Sequence, residues 1–261
     1  MACVQPANAN GGVSMTDGTA IIIGVGAARG TGAAVARRFA SGGLHTVLAG
    51  RTEERLAERA SEITAAGGSA SIHVLDVRKE DEVATLFDAV EAAHAPVKSV
   101  TFNPGANVRH SLAETETWLF EHLWRVSCFG GFLVSREATR RMADSGGGSL
   151  LFTGATGSVR GANGHAAFAA AKAGLRMVAQ SAAREYGPQG VHVAHIIVDG
   201  AIDGEKIRQG FAERAAELDA MGQADNMLDP EAIAEAFWQV HTQPRSAWTH
   251  ELDLRPWTET F

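Results

Sequence analysis

Near its amino end the chain reads Thr19-Ala-Ile-Ile-Ile-Gly24-Val-Gly26-Ala-Ala-Arg29-Gly30-Thr31-Gly32, an apolar run followed by a glycine-rich loop. Ala20–Val25 has the length and composition of a buried strand, and helical periodicity resumes over Ala33–Ser41. The loop glycines follow a G-x-x-x-G-x-G spacing. We expect Gly26 to form the turn, Gly30 to let a phosphate approach the backbone, and Gly32 to let the helix pack on the strand. This strand–loop–helix unit predicts a phosphate site at the helix N-terminus, which begins near Thr31.

Strand-like and helix-like segments alternate along the rest of the chain. Further strand-length runs are Thr46–Ala49, Ser71–Leu75, Val97–Phe102, Ser149–Phe152, Val191–Val198 and Ala247–Leu254, the last as an edge strand. Further helical segments are Glu53–Ala66, Asp81–Ala93, Thr115–Met142, Ala166–Tyr186, Ile202–Leu218 and Asp229–Thr242. The alternation predicts an α/β fold: one doubly wound (Rossmann-type) domain, with a parallel sheet of about seven strands and helices on both faces. Ligands of such folds bind at the carboxyl ends of the strands.

The composition limits the kinds of partner. Lys and Arg total 23 against 30 Asp and Glu, so the net charge of −7 disfavours nucleic acid and anionic membranes as partners. No apolar stretch is long enough to cross a bilayer. The two cysteines, Cys3 and Cys128, make no disulfide framework, and we expect a cytoplasmic protein. We assign residues 19–261 to the domain and residues 1–18 to a flexible leader, from an upstream start or added artificially.

Two arginines indicate the type of dinucleotide. An acidic residue at the end of the second strand would bind the ribose 2′-hydroxyl of NAD. The chain has Arg51 there and Arg29 in the glycine loop, and two guanidiniums suit a 2′-phosphate, so NADP(H) is favoured over NAD. The alternative is that both are surface residues, with Arg51 paired to a neighbouring glutamate. Asp76 and Val77 follow the third strand and are expected at the adenine, unless Asp76 only caps a helix.

Further motifs resemble those of the short-chain dehydrogenase/reductase family, from roughly Thr19 to the C-terminus. Besides the glycine loop they are Asn103-Pro104-Gly105, the Val126–Phe132 run, Phe168-Ala-Ala-Ala-Lys172, and the Tyr186–Val193 exit into the sixth strand. The resemblance implies hydride transfer between a nicotinamide dinucleotide and a small molecule, in a homodimer or homotetramer. It also implies cofactor contacts from Asn103, Gly105, Lys172, Gly200 and Ile202.

The residues that carry the family's chemistry match at one position of four. In the family an Asn, a Ser, a Tyr and a Lys act together, and the Tyr hydroxyl transfers the proton. The resemblance places Ser127 at the Asn position, Ala155 at the Ser position and Phe168 at the Tyr position, and keeps Lys172. Tyr186 is the chain's single tyrosine and lies eighteen residues beyond Phe168. On one helix that is roughly 27 Å, so it cannot replace the missing acid.

Four polar residues near these positions are candidates for a substitute acid or base. His165 lies just before the Tyr position and carries a side chain that titrates near neutrality. Thr156 and Ser158 flank the vacant Ser position, and Asp199 stands where the family has proline. Each has a plainer interpretation: His165 as a surface histidine, Thr156 and Ser158 as polar turn residues, and Asp199 as a helix cap. The sequence leaves the choice among them open.

Loss of the tyrosine limits the predicted reaction. A general acid contributes a factor of ~10²–10⁴, whereas positioning of donor and acceptor contributes ~7–11 kcal/mol. Hydride transfer to an activated C=N, C=C or C=O bond therefore survives loss of the acid. The alternative is a non-redox enzyme (an isomerase, a cyclase or a dehydratase) or a catalytically silent NADP-binding protein. Residues 202–228 are expected to form a substrate lid.

Overall fold

A parallel seven-stranded sheet forms the centre of the protein, which we describe from a computed structural model covering residues 18–222 and 225–259. The strands are β1 (Thr19–Ile23), β2 (His45–Gly50), β3 (Ser69–Val74), β4 (Val97–Phe102), β5 (Gly148–Thr153), β6 (Val191–Val198) and β7 (Glu251–Leu254). Their order is β3-β2-β1-β4-β5-β6-β7, and every neighbouring pair is parallel. The predicted doubly wound sheet is confirmed. Cys3 and the predicted leader up to residue 17 lie outside the described residues.

Helices cover both faces of this sheet. They are α1 (Thr31–Ser41), α2 (Glu53–Ala65), α3 (Glu80–Ala93), α4 (Thr117–Trp124), α5 (Gly130–Asp144), α6 (Ala166–Tyr186), α7 (Glu205–Gly210), α8 (Ala212–Ala220) and α9 (Pro230–His241). Apolar residues of α3, α5 and α6 form one core with the sheet, and those of α1, α2 and α9 form a second core on the opposite face. Side chains along β1 point alternately to the two faces of the sheet, so Ile21 and Ile23 pack into the first core and Ile22 into the second.

Two predicted helices differ from the structure. The segment Thr115–Met142 divides into α4 and α5, joined by a π-helical turn at Arg125–Phe129. The single helix predicted over Ile202–Leu218 is wrong: Ile202 forms a β-bridge with Leu228, and the helical part breaks at Phe211, which has φ −139° and ψ 47°. Apolar periodicity could not reveal the bridge, because Leu228 is far from Ile202 in the sequence.

Close packing of α1 against β1 depends on glycine. A Cβ on Gly32 would lie 2.6 Å from the Gly24 carbonyl oxygen and 3.0 Å from Asn103 Nδ2. That amide nitrogen donates to the Gly24 oxygen over 3.0 Å. Gly24 has φ +91°, so the glycine with left-handed backbone in this loop is Gly24, and the turn role predicted for Gly26 stays a prediction. A Cβ on Gly26 would meet nothing within 4 Å.

Gly32→Ala is therefore expected to destabilise the fold by roughly 1–3 kcal/mol, since the added methyl group forces α1 away from the Gly24 carbonyl. Urea denaturation of the purified variant measures this. Gly26→Ala is the matched control, because the same methyl group enters open space there. Equal midpoints for the two variants would contradict the packing described for Gly32.

Candidate active site

The chain reverses its winding direction between β1 and β4, so the loops after these two strands border the crevice in which ligands of such folds bind. The glycine loop follows β1, and Asn103-Pro104-Gly105 follows β4. The turn Thr156–Ser158 follows β5, and Asp199 follows β6. Residues predicted as site members from distant parts of the sequence thus meet at one edge of the sheet.

The N-terminus of α1 suits a phosphate group. Its N-cap residue is Gly30, no side chain caps it, and its first turn holds no acidic residue. Free amides and the positive end of the helix dipole therefore face the glycine loop. Thr31 begins the helix and is buried, and the space beside Gly26 is open. These observations fit the phosphates of a dinucleotide, as the sequence predicts.

The two predicted phosphate-binding arginines differ in their surroundings. Arg51 is exposed at the end of β2, and no ion pair among residues 18–222 and 225–259 engages it, so the glutamate partner considered above is not found. Arg29 instead donates from Nη2 to Asp203 Oδ2 over 2.8 Å. A 2′-phosphate clamp built from both arginines stays a prediction.

Asp76 is held by its own neighbour. Arg78 Nε donates to both Asp76 carboxylate oxygens over 2.9 Å, and these hydrogen bonds lower the carboxyl pKa to about 2. Its Oδ1 also accepts from the Arg78 backbone N–H over 3.0 Å, which is a local turn and not a helix cap. Val77 packs on Gly130 at the start of α5. The adenine contact predicted for both residues stays a prediction.

Lys172 is buried at the centre of the site. Its Nζ donates to the Thr153 carbonyl over 2.7 Å, and a Cβ on Gly105 would lie 3.0 Å from Nζ and 3.8 Å from Ser127 Oγ. Burial, and to a smaller extent repulsion from Lys206, lowers the pKa of Lys172 from 10.5 to about 8. The structure thus brings Lys172, Ser127 and Gly105 together. Lys206 comes from α7, and its sequence neighbours gave no sign of this role.

The residues after β5 support one another. Ser158 is buried, and its Oγ accepts from the Ala155 N–H over 3.1 Å. The Phe168 ring packs on the turn, since a Cβ on Gly157 would lie 3.0 Å from Phe168 Cδ1. His165 precedes α6, and its Nδ1 lies 3.0 Å from the Asn163 carbonyl oxygen. Ser158 and His165 therefore already have partners within their own loops.

Asp199 forms a polar cluster with a predicted neighbour. The Thr156 hydroxyl donates to its Oδ1, and Arg255 Nη2 lies 3.4 Å from its Oδ2. Arg160 Nη2 approaches Oδ1 at 4.0 Å. The carboxylate is buried and does not cap α7, whose N-cap residue is Gly204, so that alternative is wrong. Thr156 lies beside the site, held by a hydrogen bond to Asp199.

The two ends of the segment predicted as a lid are hydrogen-bonded to each other beside the site. Asp203 N donates to the Leu228 carbonyl, and Leu228 N donates to the Ala201 carbonyl, each over 2.8 Å. Gly200 precedes this bridge with φ +148°, and a Cβ there would lie 2.7 Å from Pro256 Cδ. Ile202 and Gly200 thus form the base of the segment beside Asp199.

Two kinds of site are absent from the part of the chain that the structure describes. It contains no group of three or more His, Cys, Asp or Glu side chains that could hold a metal ion. It also contains no helix that is both long and apolar enough to span a membrane.

The sheet order, the switch point and the uncapped helix N-terminus define a nucleotide-binding α/β protein of the doubly wound class. Residues 19–215 match the family described as short chain dehydrogenase. A tropinone reductase-like protein of Erythroxylum coca is 32% identical over 76% of this chain and 72% of its own length. An uncharacterized oxidoreductase of Bacillus subtilis is 31% identical over 81% of this chain, which spans 30% of that relative.

Solved structures agree with this assignment. A short-chain dehydrogenase from Rhodopseudomonas palustris superposes with a TM-score of 0.78 at 41% identity, over 92% of this chain and 99% of the other. A metagenomic short-chain oxidoreductase, solved in complex with NADP, has a TM-score of 0.77 at 25% identity over 94% of this chain and 100% of its own. The chain belongs to the short-chain dehydrogenase/reductase family and is an oxidoreductase by that membership.

Proposed function

We propose that the protein is an NADP(H)-dependent reductase of an activated C=N, C=C or C=O bond in a small molecule, working without a tyrosine acid. The observation that carries this proposal is the buried Lys172 ammonium, which lies beside Ser127 and Gly105 at the carboxyl ends of the strands. One helical turn before it on α6, Phe168 occupies the position that the family motif gives to tyrosine. The lysine is kept, and the tyrosine is replaced by a ring that has no proton to give.

The residues of the crevice fit a nicotinamide dinucleotide, which supplies a hydride when bound. The uncapped N-terminus of α1, the open space at Gly26 and the exposed Arg51, which forms no ion pair among residues 18–222 and 225–259, support NADP(H) as that cofactor, as does the NADP complex of the metagenomic relative. The residues proposed to hold it are Gly26, Arg29, Gly30, Thr31, Gly32, Arg51, Asp76, Val77, Asn103, Gly105, Lys172, Gly200 and Ile202.

The proton that some acceptors require is assigned to Lys172. Its pKa of about 8 leaves the ammonium charged at neutral pH and yet a stronger acid than an ordinary lysine. Thr156 is less suited as a donor, because its hydroxyl proton is already directed at Asp199. An iminium carbon needs no proton when it accepts hydride, so it is the least demanding substrate of the three classes.

A substrate panel tests this proposal. Purified protein is mixed with NADPH and a series of imines, enones and diketones, and oxidation is followed by the near-ultraviolet absorbance of the reduced nicotinamide. We expect oxidation with at least one activated class and much slower oxidation with simple ketones. Tight NADPH binding without turnover of any class would instead support the silent NADP-binding alternative.

Arg51→Gln is expected to weaken NADPH binding about tenfold and to leave NADH binding unchanged, because only NADPH carries the 2′-phosphate. Isothermal titration of each cofactor measures the two dissociation constants. Arg184→Gln is the control, since Arg184 is exposed on α6 and, within the part of the chain that the structure describes, its Nη1 donates to its own helix at the Gln180 carbonyl. An equal loss for NADPH and NADH would place Arg51 elsewhere than at the 2′-phosphate.

Exposed aromatic residues support the homo-oligomer proposed from the family resemblance. On α4 the side chain of Trp118 is 62% exposed, and on α5 that of Phe132 is 45% exposed. Apolar surface of this kind on adjacent helices is typical of a protein interface. We therefore propose that the homodimer or homotetramer associates through these two helices.

A further inference from the structure

An ion pair joins the glycine loop to the lid. Arg29 Nη2 donates to Asp203 Oδ2 over 2.8 Å and lies 3.4 Å from the Asp203 carbonyl oxygen. Below this pair the backbones also touch, since Glu205 N lies 3.4 Å from the Arg29 carbonyl oxygen and a Cβ on Gly204 would clash with that oxygen. Among the described residues, the lid side chain that contacts Arg29 is therefore the Asp203 carboxylate.

Asp203 lies between two guanidiniums. Its second oxygen, Oδ1, accepts from Arg208 Nε of α7 over 2.8 Å. Its backbone N–H donates to the Leu228 carbonyl, so the carboxylate lies at the base of the lid. Arg29 is 69% exposed and Asp203 26% exposed, so the pair is open to competition from another anion.

A carboxylate and a phosphate make the same kind of contact with a guanidinium. Arg29 is one of the two arginines assigned to the 2′-phosphate, and Arg51 has no carboxylate partner among the described residues. Arg29 cannot give the same Nη2 hydrogen to Asp203 and to a phosphate at full strength. A 2′-phosphate that takes up this Nη2 hydrogen therefore displaces the Asp203 carboxylate from it.

We propose that Asp203 is a specificity residue that occupies Arg29 in the free protein and is displaced by the 2′-phosphate of NADPH. The inference rests on the proposed function, because it needs a dinucleotide with that phosphate. Asp203 weakens NADPH binding and leaves NADH binding unaffected. Asp203 thereby reduces the preference for NADPH over NADH that Arg29 and Arg51 create.

The test is the ratio of the NADH and NADPH dissociation constants, measured by isothermal titration of Asp203→Asn. We expect NADPH to bind about two- to tenfold more tightly, because one competing charge is lost and two guanidiniums remain. NADH binding is expected to stay unchanged. Asp219→Asn is the matched control, since it removes the same charge from the same lid and contacts Arg208 but not Arg29.

A double-mutant cycle assigns the effect to Arg29. In an Arg29→Gln background, Asp203→Asn is expected to give no gain in NADPH affinity. An unchanged ratio in Asp203→Asn, or an equal gain for NADPH and NADH, overturns the inference while the proposed function stands. A wild-type protein that binds no NADPH overturns the proposed function, and the inference with it.

Discussion

Lys172→Met is expected to lower the rate of enone and diketone reduction by about 10²–10⁴-fold, the contribution of a positioned general acid. Reduction of an iminium, which takes up no proton, is expected to change much less. The wild-type rate should fall as pH rises above about 8, where Lys172 loses its proton, and the residual rate of the variant should lack this decline. Steady-state rates across this pH range measure both. Lys98→Met is the control, since Lys98 lies on β4 near the amino ends of the strands, away from the site.

The same variant is expected to be more stable than the wild type. Burial lowers the Lys172 pKa from 10.5 to about 8, so keeping the ammonium in the folded state costs up to about 3 kcal/mol at neutral pH. Between about pH 8 and 10.5 the unfolded chain holds a proton that the folded chain has released, so wild-type stability gains with pH there. The advantage of Lys172→Met should shrink over that window. An active variant of unchanged stability would contradict both roles.

Phe168→Tyr combined with Ala155→Ser is expected to create reduction of simple ketones, with a gain of about 10²–10⁴-fold over the parent. The new hydroxyl groups would stand one turn before Lys172 on α6 and directly before the Thr156–Ser158 turn. A phenol near a lysine ammonium has a lowered pKa and can give a proton to a ketone oxygen. Rates with a series of unactivated ketones measure the gain.

The matched control keeps the serine and adds no acid. Phe168→Leu with Ala155→Ser alters the same two positions without supplying a titratable group. It should reduce ketones no faster than the parent. Parental rates for the tyrosine-containing variant, in a folded protein that binds NADPH, would show that Phe168 and Ala155 are not at the positions assigned to them.

The parts of the structure that the sequence predicted are those built from local pattern. The strand–loop–helix unit from Thr19 to Ser41 follows from apolar periodicity and glycine spacing, and Gly32 has the packing role expected of it. The position of Lys172 could be predicted because it lies four residues beyond Phe168 on the helix that follows β5. The left-handed backbone at Gly24 could not be distinguished from one at Gly26, since either glycine tolerates it.

The contacts that the sequence missed join distant segments. Arg29 and Asp203 are 174 positions apart, and the Thr156 hydrogen bond to Asp199 spans 43 positions. Charge and spacing identify each of these residues as polar. Which partner each one contacts depends on how the chain after β6 folds back towards the sheet. The helix predicted from Ile202 was wrong at its start for the same reason, because Ile202 pairs with Leu228 and helix α7 begins only at Glu205.

The most direct test of the proposed reaction is isotope transfer from NADPH carrying deuterium at the transferable nicotinamide position. The protein is incubated with this cofactor and each activated imine, enone or diketone, and products are analysed by mass spectrometry. We expect deuterium at the reduced carbon of at least one product. For enone and diketone products, whose formation also takes up a proton, it should fall to near background in Lys172→Met. Product formation without deuterium, or no transfer to any substrate by a protein that binds NADPH tightly, would contradict the proposed reaction.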